Sequence, residues 1–178
     1  MLDIQNLRRL MVGPLSLTLQ DGECAALGGA SGAIGSGARD QMSATEWRKR
    51  VALLPANSGW WLDRVRGHFQ NPEAIRGQLD QLDLPPQILD WRVNRLSTGE
   101  KHRLALLRCL ENAPEVLLMD EPTAALDPDT TLKVEALLKQ QLANGVSVLL
   151  ITHDQQQPRR IAHRLLHLQD GQIHEAAP

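Results

Sequence analysis

Two carboxylates and a histidine directly follow two apolar runs of the sequence. Asp120 and Glu121 come after Val116–Met119, and His153 follows the run that begins at Val146. Ligands of open parallel sheets gather at the carboxyl ends of the strands, so these three side chains are expected to face one crevice. Adjacent carboxylates there are costly to bury unless a cation or hydrogen bonds satisfy them. Asp120 is then a candidate Mg²⁺ ligand and Glu121 a candidate group that polarises water, and the alternative is a capping pair at a strand end.

A glycine-rich loop follows the second predicted strand and has part of a phosphate-binding pattern. That pattern is Gly, four residues, Gly, Lys and then Ser or Thr. Its first five positions are met by Gly29, Ala30, Ser31, Gly32 and Ala33. Ile34, Gly35 and Ser36 then stand where Gly, Lys and Ser or Thr belong, and a frame moved to Gly35 puts Ser36 at the lysine. No lysine occurs before Lys49, so we expect nucleotide binding to be much weaker than the full pattern gives.

The strands that must position these groups follow from the hydrophobic pattern. Leu15, Leu17 and Leu19 alternate with polar residues, which predicts a half-buried strand. Residues 23–27 and 51–54 are further short apolar runs, the second predicted as a buried strand. The runs at 116–119 and 146–152 are continuously apolar, which is typical of strands covered on both faces in a parallel sheet.

The helix signals complete a strand–helix–strand alternation. Ser97 is a candidate N-cap for a helix whose apolar side includes Leu104 and Leu107. Asp127 followed by Pro128 predicts a second helix start, with its end near Asn144. The alternation predicts an α/β fold with a mostly parallel sheet, and the strands before it are predicted to form an antiparallel N-terminal region.

The stretch from 57 to about 95 has a different composition. Helical pieces are interrupted there by glycine, Asn-Pro and Pro-Pro, and all but one of the tryptophans fall in it. We interpret it as a small, mainly helical lobe. Trp60 and Trp61 are predicted either as core of that lobe or as an exposed anchor for a partner, because tryptophan is enriched at interface hot spots.

Composition and charge exclude several classes of protein. The 178 residues, 42% of them hydrophobic, predict one domain with a real core. The 19 basic and 21 acidic residues leave no basic excess for gripping nucleic acid. No apolar run approaches the roughly 18 residues of a membrane span, and no secretory signal is expected. Cys24 and Cys109 form no metal or redox spacing, which favours a cytoplasmic setting.

The order of four motifs resembles the ATP-binding cassette (ABC) ATPase family. The family's signature motif corresponds to Leu96–Glu100, its Walker B motif to 116–123, its D-loop to Ala125–Asp127 and its switch histidine to His153. All four occur in the family's order and close to its spacing, and the resemblance covers the whole chain. It implies a single ABC ATPase domain over 1–178 with a P-loop NTPase core. That core would span about 1–56 and 105–178, with the helical lobe at about 57–104.

The resemblance also implies a function and partners. Two cassettes, here as a homodimer, would close head to tail over two ATP molecules with Mg²⁺. The partner's ATP would be held by Ser97, Thr98, Gly99 and Glu100, where a helix N-terminus can bind an anion. Asp127 would lie at the interface between the two cassettes, which we call the seam. Asp120 would hold Mg²⁺, and Glu121 and His153 would be catalytic. The chain would hydrolyse ATP in the cytoplasm and drive a membrane-spanning permease at the inner face of the membrane, with no nucleic-acid partner.

The sequence departs from this family in several places. The helix that should follow the phosphate loop is missing, and three explanations stay open: further residues near 33–37 in the natural polypeptide, a deletion product, or a naturally degenerate cassette. The sharp break inside a good motif favours the first. Ala56 replaces a glutamine that touches Mg²⁺ and water, with Asn57 beside it. No aromatic residue precedes Trp47, so adenine would rest on aliphatic residues such as Leu10 or Met11.

Two other functions compete with this one. A non-catalytic cassette that dimerises as a regulatory module is favoured only if the lysine is truly absent. Cassettes that work on DNA carry a long coiled coil between phosphate loop and signature, and the stretch from Gly35 to Ser97 is too short for one. Ribosome-associated types usually carry two cassettes in one chain, whereas this sequence contains one.

Overall fold

The structure of the protein is a computed structural model that describes residues 1–9, 12–28, 43–169 and 172–176. Two antiparallel strands, β1 (Leu2–Arg9) and β2 (Val12–Leu19), form a small sheet of their own. Leu17 and Leu19 are buried in β2 while Thr18 between them is exposed. The predicted alternation, and the antiparallel N-terminal strands with it, are therefore confirmed.

The main sheet has six strands in the order β4-β5-β6-β3-β7-β8. The first five are parallel to one another, and β8 pairs antiparallel with β7 at the edge. This arrangement confirms the mostly parallel α/β sheet. The strands are β3 (Cys24–Gly28), β4 (Val51–Leu54), β5 (Val116–Asp120), β6 (Ser147–Ile151), β7 (Arg164–Gln169) and β8 (Gln172–Ala176).

Helices connect and cover these strands. They are α1 (Ala44–Arg50), α2 (Arg76–Leu79), α3 (Thr98–Leu110), α4 (Pro128–Ala143) and α5 (Gln156–Ile161). Between β4 and α3 the chain also forms 3-10 turns at Val65–His68, Asp80–Leu82, Pro86–Asp90 and Val93–Arg95. The predicted helical pieces are thus mostly short turns, because proline and glycine recur too often there for long helices. No helix in the described part of the chain is long and apolar enough to cross a membrane.

Both faces of the main sheet are covered by apolar side chains. One cluster joins the lobe residues Leu79 and Leu82 to Leu104 of α3 and Leu117 of β5. A second cluster lies between the two sheets and includes Leu17, Leu19, Leu27, Leu118 and Leu149. The sheet is therefore buried as the continuous apolar runs of β5 and β6 predict.

The edge strand β4 differs from its prediction as a buried strand. Leu54 is buried, but Leu53 is 56% exposed and lines an open cleft with Trp47 and Leu118. The prediction was wrong for this face, since β4 pairs with β5 alone and no described element covers Leu53.

Both cysteines behave as apolar side chains. Burial raises the pKa of the Cys24 thiol to about 12 and that of Cys109 to about 11. The thiols therefore stay protonated at neutral pH, in keeping with their apolar surroundings.

A buried ion pair ties α4 to α5. Glu135 on α4 is only 2% exposed, and Arg160 on α5 donates to both of its carboxylate oxygens at 2.7–3.1 Å. Arg160 also lies 3.5 Å from Asp154, one residue after His153. The pair therefore fixes the segment that leaves β6 against the helix that follows β5.

Replacing Arg160 by alanine is expected to lower the free energy of unfolding by about 3 kcal/mol, because Glu135 would stay buried without its partner. Urea denaturation at neutral pH measures this loss. Arg159→Ala is the matched control, since Arg159 is exposed on the same helix. Equal losses of unfolding free energy in Arg160→Ala and Arg159→Ala would mean that the ion pair with Glu135 does not stabilise the fold.

Candidate functional site

The ends of β5 and β6 bring two of the predicted residues together. Asp120 pairs in register with Ile151, and the backbone N–H of Glu121 donates to the Ile151 carbonyl at 2.9 Å. Glu121 and His153 therefore leave the sheet at the same edge. Glu121 has a φ of 52°, a left-handed conformation that is unfavourable for a residue with a side chain and that clusters at functional sites.

A direct contact joins Glu121 to His153. Glu121 Oε1 accepts a hydrogen bond from the backbone N–H of His153 at 2.9 Å, and His153 Nε2 lies 3.6 Å from the same oxygen. The Glu121 side chain is 20% exposed and that of His153 is 74% exposed. The carboxylate is held in place by a backbone donor while the imidazole stays open to solvent.

Asp120 lies beside this pair at the end of β5 and is partly exposed. Among the described residues, no group of three or more His, Cys, Asp or Glu has the arrangement of a metal site. Mg²⁺ is commonly held by one or two carboxylates together with substrate phosphates. Asp120 and the neighbouring Glu121 are carboxylates of that kind, so the donor chemistry fits Mg²⁺ bound with a nucleotide.

The predicted phosphate loop lies outside the described residues. This holds for Gly29, Ala30, Ser31, Gly32, Ala33, Gly35 and Ser36, as well as for Leu10 and Met11. The strand that leads to the loop is described: β3 ends at Gly28 and pairs in parallel with β6. The chain thus enters the loop from the sheet edge where Glu121 and His153 meet.

The predicted N-cap Ser97 begins α3 with a capping box. Ser97 Oγ accepts from the Glu100 backbone N–H at 3.2 Å and donates to Glu100 Oε2 at 2.8 Å. Glu100 Oε2 also accepts from the Ser97 backbone N–H at 2.8 Å. Ser97 and Thr98 are exposed, so this helix N-terminus faces solvent. Glu100 reaches back over the same turn rather than outward.

The start of α3 packs on the loop that follows Glu121. A Cβ at Gly99 would lie 3.3 Å from the Ala125 carbonyl oxygen, so glycine permits a close backbone approach. The imidazole of His102, one turn further along, bonds to the Pro122 backbone and is 6% exposed. Burial lowers the pKa of His102, which keeps the ring neutral. This contact was not predicted, although the spacing of His102 to Leu106 puts it on the buried side of the helix.

Asp127 caps α4. The backbone N–H of Thr130 donates to Asp127 Oδ1 at 2.9 Å, and the Thr130 hydroxyl donates to Oδ2 at 2.6 Å. These hydrogen bonds lower the pKa of Asp127. Both carboxylate oxygens are used within the chain, so Asp127 fixes the direction in which the D-loop passes into α4.

The two adjacent tryptophans have different environments. Trp60 is half-buried and packs against the main apolar cluster, whereas Trp61 is 68% exposed. Trp60 therefore has the core environment of the first interpretation, and Trp61 has the exposed environment of the second. Arg108 of α3 lies over both rings, with its guanidinium 4.9 Å and 5.1 Å from the ring centres. Ala56 and Asn57, just before them, are exposed.

Comparison with known proteins identifies related chains. The family model described as "ABC transporter" matches residues 34–124. The chain is 38% identical over 121 residues to phosphate import ATP-binding protein PstB 2 of Natronomonas pharaonis, covering 66% of this chain and 42% of the relative. It is 46% identical over 90 residues to Nod factor export ATP-binding protein I of Paraburkholderia xenovorans, covering 50% of this chain and 30% of the relative. The chain thus spans less than half the length of these curated relatives.

Solved structures have the same fold. An ATP-binding subunit of an ABC transporter superimposes with a TM-score of 0.83 at 18% identity, covering 98% of this chain and 89% of that one. A dimeric, post-hydrolysis state of an ATP-binding cassette bound to ADP and phosphate has a TM-score of 0.77 at 21% identity, covering 98% and 97%. At these identities the likeness establishes the α/β fold with its antiparallel strand sheet.

Ser97→Ala is expected to lower the free energy of unfolding by about 1 kcal/mol, since the first turn of α3 loses its capping oxygen. Thermal or urea denaturation measures the change. Ser97→Asp is the matched control, because aspartate supplies an equivalent capping oxygen. A Ser97→Ala chain as stable as the wild type would mean that the capping box does not hold α3.

Proposed function

Because this chain belongs to the ABC transporter family, we propose that it is the ATP-binding and ATP-hydrolysing subunit of a transporter. It acts as a head-to-tail homodimer and drives a separate membrane-spanning permease from the cytoplasmic face of the membrane. The meeting of Glu121 and His153 beside Asp120 at one sheet edge carries this proposal. The names of the relatives, which are import and export ATP-binding proteins, agree with it.

The residues at the sheet edge have complementary roles in this reaction. Bound MgATP supplies the phosphoanhydride bond and a cation that neutralises charge on the phosphates. Asp120 holds Mg²⁺, directly or through water. Glu121 orients the attacking water, and its tether to the His153 backbone limits the directions that the carboxylate can take. The exposed His153 ring is free to donate to the transferred phosphoryl group.

A second chain completes the site in this proposal. The N-terminus of α3, at Ser97–Gly99, opens to solvent, and a long helix that starts with a serine hydroxyl favours an anion. The γ-phosphate bound by the partner cassette is the anion of this site. The close packing of Gly99 on Ala125 and the cap at Asp127 set the position of α3 relative to the D-loop at the seam.

A non-catalytic cassette is the second candidate, and the missing lysine at position 35 favours it. The intact mass of the polypeptide from its native cell decides between the two. A mass several kilodaltons above 19.7 kDa, with the additional residues located by peptide mapping between Gly28 and Ser43, means that the natural chain has further residues at the phosphate loop, which supports the ATPase. A mass of 19.7 kDa without measurable ATP binding supports a dimerisation or regulatory module.

Glu121→Gln is expected to lower the rate of ATP hydrolysis at least about 100-fold. Nucleotide-dependent dimerisation is expected to stay intact. The amide keeps the shape of the side chain and removes its ability to accept a proton. Phosphate release measures turnover, and light scattering after size exclusion measures the dimer. Undiminished hydrolysis in the variant would contradict the role given to Glu121.

Trp61→Ala is expected to fold like the wild type and to lose at least about tenfold in affinity for the permease, because a largely exposed tryptophan contributes to binding rather than to the core. Binding of the full chain to the permease in detergent measures the affinity. Leu132→Ala is the control, since Leu132 is 53% exposed on α4. Equal affinities of the wild type and Trp61→Ala would mean that Trp61 does not take part in binding the permease.

A further inference from the structure

A short turn runs from the end of β6 into α5, and we call its residues 152–156 the switch turn. The backbone N–H of Asp154 donates to the Thr152 hydroxyl at 3.1 Å, and Asp154 Oδ1 accepts from the backbone N–H of Gln156 at 2.7 Å. Thr152 is buried, whereas His153 is exposed. The backbone around His153 is therefore held by hydrogen bonds that begin or end at its two neighbours.

The direction of the His153 N–H matters because the Glu121 carboxylate depends on it. This N–H donates to Glu121 Oε1 at 2.9 Å. Within the described ranges, no other hydrogen bond to that carboxylate is found. A rotation of the switch turn would point the donor elsewhere and leave the Glu121 side chain free to change its rotamer.

The second oxygen of Asp154 faces a cation on α5. Asp154 Oδ2 lies 3.5 Å from Nη2 of Arg160, and the same guanidinium donates to both carboxylate oxygens of Glu135 at 2.7–3.1 Å. Glu135 is buried, so moving Arg160 away would leave a buried charge without its partner. Arg160 is thus a fixed cation beside Asp154, and it connects the switch turn to α4.

Asp154 has one feature of an ordinary helix cap, since its carboxylate accepts from the first residue of α5. Two observations favour a further role. The carboxylate uses its other oxygen for Arg160, and it lines one cavity of about 400 Å³ together with Glu121 and Arg160. A cap alone would stabilise α5, whereas this arrangement also ties the backbone beside Glu121 to α4.

We propose that Asp154 is the positioning residue of the switch turn and that it holds the His153 N–H against Glu121. The contacts run from Glu135 on α4 through Arg160 to Asp154, and from there through the His153 backbone to Glu121. Asp154 acts through Glu121 and does not contact the reacting atoms. Its effect on ATP hydrolysis rests on the proposed function, whereas its hold on the His153 N–H does not.

Amide hydrogen exchange of the full chain, followed by NMR at neutral pH, tests the hold on His153. Asp154→Ala is expected to lower the protection factor of the His153 N–H about tenfold, because the turn loses its carboxylate. Asp154→Asn keeps an acceptor oxygen for Gln156 and removes the charge that faces Arg160, so a smaller fall of about threefold is expected. The amides of β6 are expected to keep their wild-type protection in both variants. Asp80→Ala removes an exposed carboxylate in the helical lobe, and as the matched control it keeps the wild-type value.

Phosphate release by the same variants tests the effect on hydrolysis. Asp154→Ala is expected to lower kcat about tenfold and to leave KM for ATP within about twofold, because a misplaced Glu121 carboxylate affects the transition state more than nucleotide binding. Asp154→Asn is expected to recover part of the lost rate. A purely structural role would instead reduce the folded fraction and leave kcat per folded molecule unchanged.

Three results would overturn the proposal: unchanged His153 protection in Asp154→Ala, an equal fall at every β6 amide, or an equal fall in Asp80→Ala. An Asp154→Asn chain that matches the wild type would overturn the part given to Arg160. A wild-type kcat in Asp154→Ala, with His153 protection lowered, would refute the link between this hold and catalysis. Absence of ATP hydrolysis in the wild type would refute the proposed function alone, because the exchange measurement needs no nucleotide.

Discussion

The parallel register of β5 and β6 is the constraint on which the candidate site depends. Asp120 lies opposite Ile151, so the residues that follow both strands emerge together. The Glu121 backbone donates to Ile151, and its carboxylate accepts from His153. These two bonds hold Glu121 in a left-handed conformation that an isolated chain would avoid. A shift of one residue in this register would separate the carboxylate from the histidine and leave the strain uncompensated.

Helix α3 connects the loop after Glu121 to the two adjacent tryptophans. Its first turn packs Gly99 against Ala125, and His102 binds Pro122, so the helix is fixed to the loop after Glu121. Near its other end, Arg108 lies over Trp60 and Trp61. One helix of 13 residues thus contacts both the loop after Glu121 and the two adjacent tryptophans.

Patterns that are local in sequence predicted most of this arrangement. The apolar runs of β5 and β6, the cap at Ser97 and the Asp-Pro start of α4 each depend on adjacent residues, and the structure has all of them. The meeting of Glu121 and His153 followed from the rule for parallel strand ends. The positive φ of Glu121 and the exposure of Leu53 depend on residues that are distant in sequence. No sequence period carries that information, so these features could not be predicted.

The capping box at Ser97 sets a condition on any anion that binds there. The Ser97 hydroxyl already donates to Glu100 Oε2 and accepts from the Glu100 backbone N–H. To donate to a phosphate, the hydroxyl must turn away from the Glu100 carboxylate, which also repels the incoming negative charge. A cap of this kind contributes about 1 kcal/mol, so a phosphate that offers several acceptor oxygens can displace Glu100. In the proposed dimer this site would be stable when empty and would respond to an anion by rotating one hydroxyl and one carboxylate.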